Sequence, residues 1–260
     1  MHILVVGGAG YIGSHCTKKL IEKGYQVTVV DNLSTGYCQA IAKEATFFQG
    51  DIRQIDFLES VFLHHTFDGV IFLASNSLVA ESMKDPLKYY QNNVVGAEAL
   101  LRSMVKHQIN HIVFSSTAAV YGEPNMIPIT EEAVTFPTNP YGETKLAIER
   151  MLKWLSLANG IKYITLRYFN VAGADASGLI GEAHDPETHL IPIVLQVPLG
   201  KRKRVAIYGN DYATKDGTCI RDYIHIDDLV DAHILALERL LQGGSSNTFN
   251  LGSEKGYSVL

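Results

Sequence analysis

Gly7-Gly8-Ala9-Gly10-Tyr11-Ile12-Gly13, directly after the apolar run Ile3-Val6, constrains this chain more than any other segment. Glycine at every third position after a short β-branched run suits a strand that turns tightly into a helix. With no Cβ in the way, the turn permits positive φ and leaves helix N-terminal amides free to meet an anion. That is the arrangement a dinucleotide's pyrophosphate needs, with Gly7, Gly10, Tyr11, Ile12 and Gly13 as the predicted contacts. A glycine triplet alone is weak, since any tight β-to-α turn favours glycine, so the rest of the chain has to supply the context.

The context is a repeating rhythm. Ile3-Val6, Val27-Val30, Gly69-Ala74, His111-Ser115 and Tyr163-Tyr168 read as short strands. Between them, Gly13 to Lys23, Asp56 to His64, Leu87 to Lys106 and Tyr141 to Ala158 carry apolar residues three and four apart, as helices covering a sheet do. Apolar runs hidden on both faces fit a parallel sheet. The fold class expected is therefore α/β, a doubly wound parallel sheet of Rossmann type. After Arg167 the texture shifts to glycine, proline and short mixed elements from Gly173 through Gly217, which suits a smaller lobe; one helical pattern returns at Ile226 to Leu241. Residues 1–170 are assigned to the dinucleotide-binding domain and 171–260 to a smaller, incomplete substrate lobe, with 220–241 expected to pack back on the first domain.

Composition bounds the partners. A length of 260 residues with 47% apolar content allows one large core, or one core plus a smaller lobe. The formal charge of -5 offers no broad positive field for nucleic acid or anionic lipid. The basic run Lys201-Arg202-Lys203-Arg204 reads as a solvated loop. No stretch approaches the roughly 18 apolar residues a membrane-spanning helix requires, and the first apolar run is too short for a signal segment. Three scattered cysteines, Cys16, Cys38 and Cys219, form no C-x-x-C pair and fit a reducing cytoplasm. His184 and His189 form no recognisable ligand set, so no metal is expected.

Asp31, with Asn32 beside it, ends the second strand. A carboxylate there can accept hydrogen bonds from ribose hydroxyls and would repel a 2′-phosphate, which selects NAD over NADP; capping a turn with Asn32 is the alternative. Asp51-Ile52, after a third apolar stretch, would border the adenine. Tyr141 and Lys145 are four residues apart, which places phenol and ammonium on one helix face. Asn139-Pro140 marks the start of that helix. Upstream, the strand ending in Ser115-Ser116-Thr117 brings a hydroxyl to the carboxyl edge of the sheet, where open α/β sheets bind ligands. A tyrosine with a reference pKa near 10 is a poor base at neutral pH, and Lys145 together with a positive nicotinamide ring would favour the phenolate. Thr117 can bond a substrate oxygen and relay its proton.

The glycine run, Ser115-Ser116-Thr117 and Tyr141 to Lys145 together resemble the extended short-chain dehydrogenase/reductase family. Further runs resemble the UDP-glucose 4-epimerases within it: Ser77-Leu78-Val79, Pro86-Leu87-Lys88-Tyr89-Tyr90, Arg167-Tyr168-Phe169-Asn170, Gly209-Asn210-Asp211-Tyr212, and Asp216-Gly217-Thr218 through Arg221-Asp222-Tyr223-Ile224-His225. The resemblance implies NAD-dependent C4 epimerisation of a UDP-hexose through a 4-keto sugar, with Tyr141 as the base at O4. It implies that Asn92 meets the nicotinamide-side ribose or phosphates. Asn170, Arg221 and Tyr223 would hold the sugar nucleotide's diphosphate or its surroundings, and Leu190 would line the nucleotide pocket. It also implies a homodimer through the helices at 87–106 and 141–158.

Three alternatives stay open. A sugar-nucleotide dehydratase starts from the same 4-keto sugar, but the acid pair of such relatives is replaced here by Ala118 and Ala119. An epimerase for UDP-N-acetylglucosamine or UDP-glucuronate differs only in the sugar's substituent. A binding protein without turnover is the third: Phe72-Leu73, Ser75-Asn76 and Ala80 depart from the family pattern, and family members continue for several dozen residues past the position of Leu260. A chain ending there is expected to bind NAD and to epimerise weakly or not at all.

Overall fold

A computed structural model describes residues 1–260. The chain opens with strand β1 (His2–Val6), helix α1 (Tyr11–Glu22), β2 (Gln26–Asp31), β3 (Thr46–Gln49), α2 (Ile55–His64) and β4 (Gly69–Phe72). Two single-turn helices, α3 (Val79–Ser82) and α4 (Pro86–Tyr89), precede a π-helical turn at Tyr90–Val95 and α5 (Gly96–Lys106). Then come β5 (His111–Ser115), α6 (Pro140–Asn159), β6 (Lys162–Tyr168), β7 (Asn170–Ala172), α7 (Leu190–Gln196), β8 (Ile220–His225), α8 (Ile226–Leu241), β9 (Asn247–Leu251) and β10 (Gly256–Ser258).

Seven parallel strands form one sheet in the order β3-β2-β1-β4-β5-β6-β9. The order reverses between β1 and β4, because the chain winds outward through β3 and then returns past β1. That reversal opens a crevice at the carboxyl ends of the strands, the ligand position of doubly wound folds. Ile3, Leu4, Val5 and Val6 of β1 are fully buried, as is every residue of β4, since helices cover both faces. One face packs against α2, α5 and α6 through Leu4, Phe72, Leu100, Phe114 and Leu152. The other packs against α1 and α8 through Val5, Ile71, Leu20, Ile234 and Leu237. Each such side chain contributes about 1.5–3 kcal/mol by leaving water.

The doubly wound α/β class read from the sequence is the one observed. Two readings need correction. The helix expected over 87–106 is interrupted at Tyr90–Val95, where one turn widens to π spacing. The shift turns Asn93 inward, where it is completely buried; its amide bonds the carbonyl of Asn76 and the hydroxyl of Thr144, each at 3.0 Å. The second is β9, which no periodicity marked. Asn-Thr-Phe-Asn-Leu has few apolar residues, yet it closes the edge of the large sheet beside β6, so sheet membership extends past residue 170.

A second, three-stranded sheet, β10-β8-β7, stands at the carboxyl edge of the first. Its β7 follows β6 after one residue, and β8 leads directly into α8, which anchors both ends of the smaller unit to the large one. The basic run at 201–204 is exposed and outside regular structure.

Candidate active site

One cavity of about 1360 Å³ occupies the crevice. It exceeds the roughly 300–1,000 Å³ of a single small-ligand site, so two ligands can share it. Gly7, Gly10, Tyr11, Ile12 and Gly13 line it, as do Asn170 and Arg221. Asp31, Asn32, Asp51, Ile52, Asn92, Thr117, Tyr141 and Lys145 share the same wall.

The glycines differ in why they are glycine. A Cβ on Gly13 would lie 2.1 Å from the Gly7 carbonyl oxygen, and Gly7 has φ +89° with Ala74 nitrogen 2.6 Å from its would-be Cβ, so the turn itself excludes side chains. At Gly10 a Cβ would meet nothing nearer than 3.5 Å. Protein packing does not require glycine there, but an approaching phosphate would. Gly10 is the N-cap of α1 and offers no side-chain cap, so the helix's first amides have no side-chain partner beside the cavity. Asp31 is held by the amides of Ala9 (3.0 Å) and Leu33 (2.8 Å), which fix its carboxylate at the rim. Asp51 pairs with Arg53, and that hydrogen bond holds its carboxyl below the usual range. An open glycine, uncapped amides and a fixed carboxylate fit a dinucleotide diphosphate with an unmodified ribose.

At the chemical end, α6 begins with Asn139 accepting from the Gly142 amide (2.9 Å) and Pro140 in its first turn. This start fixes Tyr141 and, one turn on, Lys145, both facing the cavity. Burial pushes the Tyr141 phenol up to about 12, a rise that its hydrogen bond with the Thr117 hydroxyl offsets only in part. Burial brings Lys145 down to about 7 against the opposing pull of Glu149. Its ammonium lies 5.9 Å from the Tyr141 ring centroid and donates to the Ser115 carbonyl at 2.7 Å. Thus the protein alone keeps the phenol protonated, whereas the sequence points to Lys145 favouring ionisation.

Two expected contacts lie off the cavity wall. Leu190 is the first residue of α7 and leaves the lining to Thr188 and His189. Tyr223 stands behind Asn170, its β-sheet partner, with its hydroxyl bonded to the Asn170 side chain and its ring edge-on to Tyr257 at 6.4 Å. It can orient Asn170 but does not face the cavity.

The structure also adds groups that the sequence did not single out. Glu149, one turn beyond Lys145, accepts two hydrogen bonds from the Arg167 guanidinium (3.0 and 2.5 Å) and one from Ser116 (2.5 Å). Arg167 donates to Tyr121, whose hydroxyl reaches Asn250 of β9 (2.7 Å). This nearly buried network ties the floor under Thr117 to the sheet edge. The Lys145-to-Glu149 spacing was its only sequence signal. Glu182, His184, Glu187 and His189 also converge, their donor atoms within 4.8 Å of one another, where the sequence reading found no ligand set in the two histidines. Burial raises the Glu182 carboxyl, but hydrogen bonds from His184 and His189 outweigh it and hold Glu182 at about 2. The ligands are supplied in an irregular loop, with half of them carboxylates, a pattern that histidine spacing alone does not reveal.

Comparison with known proteins agrees with this geometry. Residues 3–252 match the model of the NAD dependent epimerase/dehydratase family. A UDP-glucose 4-epimerase of Halalkalibacterium halodurans is 59% identical over 259 residues, covering 100% of this chain and 77% of its own length. The crystal structure of a UDP-glucose 4-epimerase from Brucella ovis in complex with NAD superposes with a TM-score of 0.96 at 46% identity, covering 99% of this chain and 79% of that one. One from Bifidobacterium longum, in complex with NAD+ and UDP, gives 0.94 at 40% identity, covering 100% and 80%. From its glycine cradle to its second sheet, the chain belongs to the NAD dependent epimerase/dehydratase family.

Proposed function

We propose that this protein is a UDP-hexose 4-epimerase, interconverting UDP-glucose and UDP-galactose with NAD held as a resident cofactor. The observation that carries the reading is one cavity whose wall carries the glycine cradle, Arg221, and Tyr141, Thr117 and Lys145 together. The relatives named above are UDP-glucose 4-epimerases, and two were solved with NAD.

The cradle residues Gly7, Gly10, Tyr11, Ile12 and Gly13 hold the NAD diphosphate, Asp31 with Asn32 the adenosine ribose, and Asp51 with Ile52 border the adenine. Asn92 and Lys145 take the nicotinamide-side ribose. Bound NAD supplies a reversible hydride acceptor at the sugar C4 and a positive ring beside Tyr141. That charge, added to the Lys145 ammonium, offsets the burial that otherwise keeps the phenol protonated. Tyr141 then takes the O4 proton, with Thr117 bonded to the same oxygen. Asn170 and Arg221 keep the diphosphate in place while the 4-keto ring presents its other face, and Tyr141 returns the proton to the inverted alcohol. Arginine suits this clamp because its fork meets two phosphate oxygens at once. Ala118 and Ala119 at the cavity wall carry no acid for dehydration, which favours epimerisation over that alternative.

The test is conversion of UDP-galactose to UDP-glucose by the purified protein with no cofactor added, together with release of NAD on denaturation. Cofactor without turnover would instead support the binding-protein reading. Replacing Tyr141 by Phe should lower turnover by roughly 10²–10⁴-fold while NAD content stays unchanged; near-normal turnover would remove Tyr141 as the base.

We also propose a homodimer. Leu87, Tyr90 and Val95 on one helical segment and Trp154 and Leu157 on α6 leave large apolar surfaces exposed on the two elements expected to pair. Trp154→Lys should yield a monomer by light scattering. No helix is long and apolar enough to cross a membrane. Free thiols at exposed Cys38 and half-buried Cys219 suit a reducing cytoplasm, which cell fractionation would check.

A further inference from the structure

The loop between β7 and α7 carries Glu182, His184, Glu187 and His189 in the pattern E-x-H-x-x-E-x-H. The mechanism uses none of the four. Both glutamate side chains are largely shielded, at 9% and 8% exposure, and no lysine or arginine pairs with either. Their salt-bridge partners are the two histidines. His189 Nδ1 lies 2.8 Å from Glu182 Oε1 and 3.0 Å from Glu187 Oε1; His184 Nδ1 lies 3.2 Å from Glu182 Oε1 and 3.9 Å from Glu187 Oε2. Without a cation the two imidazoles offset the carboxylates: against the upward push of burial their hydrogen bonds hold Glu182 low, and Glu182 in turn raises His189. A dication bound by two carboxylates and two neutral imidazoles would leave no net charge.

The spacing also fits. With metal–ligand bonds of roughly 2.0–2.2 Å, a tetrahedral zinc site has ligand atoms about 3.4 Å apart. The observed separations bracket that value and need only small side-chain shifts to meet it. Imidazole and carboxylate together suit zinc or a similar transition metal better than the all-oxygen shells of calcium and magnesium. All four ligands come from eight consecutive residues, so little chain entropy is lost on assembly.

We propose that Glu182, His184, Glu187 and His189 form a four-coordinate site for a zinc-type divalent cation that fixes the β7–α7 loop against the cavity. With every position filled by protein, the metal is structural and takes no part in the sugar chemistry. Its position gives it a purpose. Glu182, His184 and His189 are themselves cavity wall, and the His184 ring meets the Tyr11 ring edge-on at 6.4 Å. Tyr11 in turn donates to the Gly173 carbonyl at the start of the loop (2.6 Å). The metal thereby holds the loop to the cofactor cradle.

The full chain, stripped with a chelator and re-equilibrated, is titrated with zinc in competition with a chromogenic chelator, and bound metal is counted by mass spectrometry. One zinc per chain is expected, with a rise in melting temperature on binding. His189→Ala and Glu187→Gln should each weaken binding by more than about 100-fold, beyond the effect of losing a residue that merely supports a ligand, while bound NAD in the same samples certifies folding. His64→Ala, at an exposed helix end, should leave binding unchanged. Cobalt in place of zinc should show the strong visible bands of four-coordinate geometry. Substoichiometric zinc, binding indifferent to the two ligand variants, or the weak bands of six-coordinate cobalt would each overturn the site.

Discussion

Every buried apolar side chain lies between Ile3 and Leu166 or between Ile226 and Leu240, whereas the stretch from Phe169 to His225 contributes one buried residue, Thr218. The cofactor side is therefore shaped by packing, which fixes the cradle before any ligand arrives. The substrate side is shaped by strand pairing in the small sheet and by side-chain bonds such as Tyr223 to Asn170. Segments with few buried apolar contacts open at lower free energy, so this side should be the one that ligands order. The contrast suits a reaction in which the cofactor stays fixed and the sugar must turn.

The sharpest way to test the contrast is to damage each side in kind. Arg167→Met leaves Glu149 buried without its partner and should cost about 3–5 kcal/mol in urea denaturation. A loss below about 1 kcal/mol would show that the packed side does not depend on its ionic floor. Next, Gly10→Ala should reduce retained NAD by roughly tenfold or more, because the new methyl meets the diphosphate. The stability of the cofactor-free protein should hardly change, since a Cβ at that position clears all protein atoms. A destabilised variant would mean that the glycine serves the fold. Arg221→Met removes a charge-assisted hydrogen bond worth about 1.5–3 kcal/mol, so KM for the sugar nucleotide should rise roughly tenfold to hundredfold. Arg221 is exposed, so its unfolding free energy should stay within about 0.5 kcal/mol.

The last effect is one that vanishes at neutral pH. His233 on α8 is buried against the sheet, donates its Nδ1–H to the Leu229 carbonyl at 2.8 Å, and leaves its Nε2 unpartnered. Burial brings its pKa down to about 4 from 6.5. Between those values the unfolded chain binds the proton and the folded chain does not, so this residue lowers stability as pH falls from 6.5 toward 4 and is neutral above. His233→Leu should flatten that part of the stability profile; an unchanged slope would assign it to other groups.

Legibility in the sequence follows the same division. The strands β1, β2, β4, β5 and β6 were readable because burial on both faces writes them as apolar runs, and α8 because its periodicity is intact. That the glycine turn, Tyr141, Lys145 and Thr117 share one cavity wall was readable because local spacing and strand order place them. β9 was not, because an edge strand beside β6 needs few apolar residues. The π turn at Tyr90–Val95 was hidden because one widened turn leaves the surrounding periodicity almost intact. Leu190 and Tyr223 lie off the cavity lining, since position in a loop or small sheet is set by tertiary contacts. The Glu149–Arg167 pair joins residues 18 apart in the chain through the fold alone.

The central claim is that one cavity removes hydrogen from the sugar C4 and returns it there without exchange. UDP-galactose carrying deuterium at C4, turned over by the protein in ordinary water with no added cofactor, tests it most directly. The account predicts UDP-glucose with the deuterium still at C4. Product whose C4 label has washed out into solvent would contradict it.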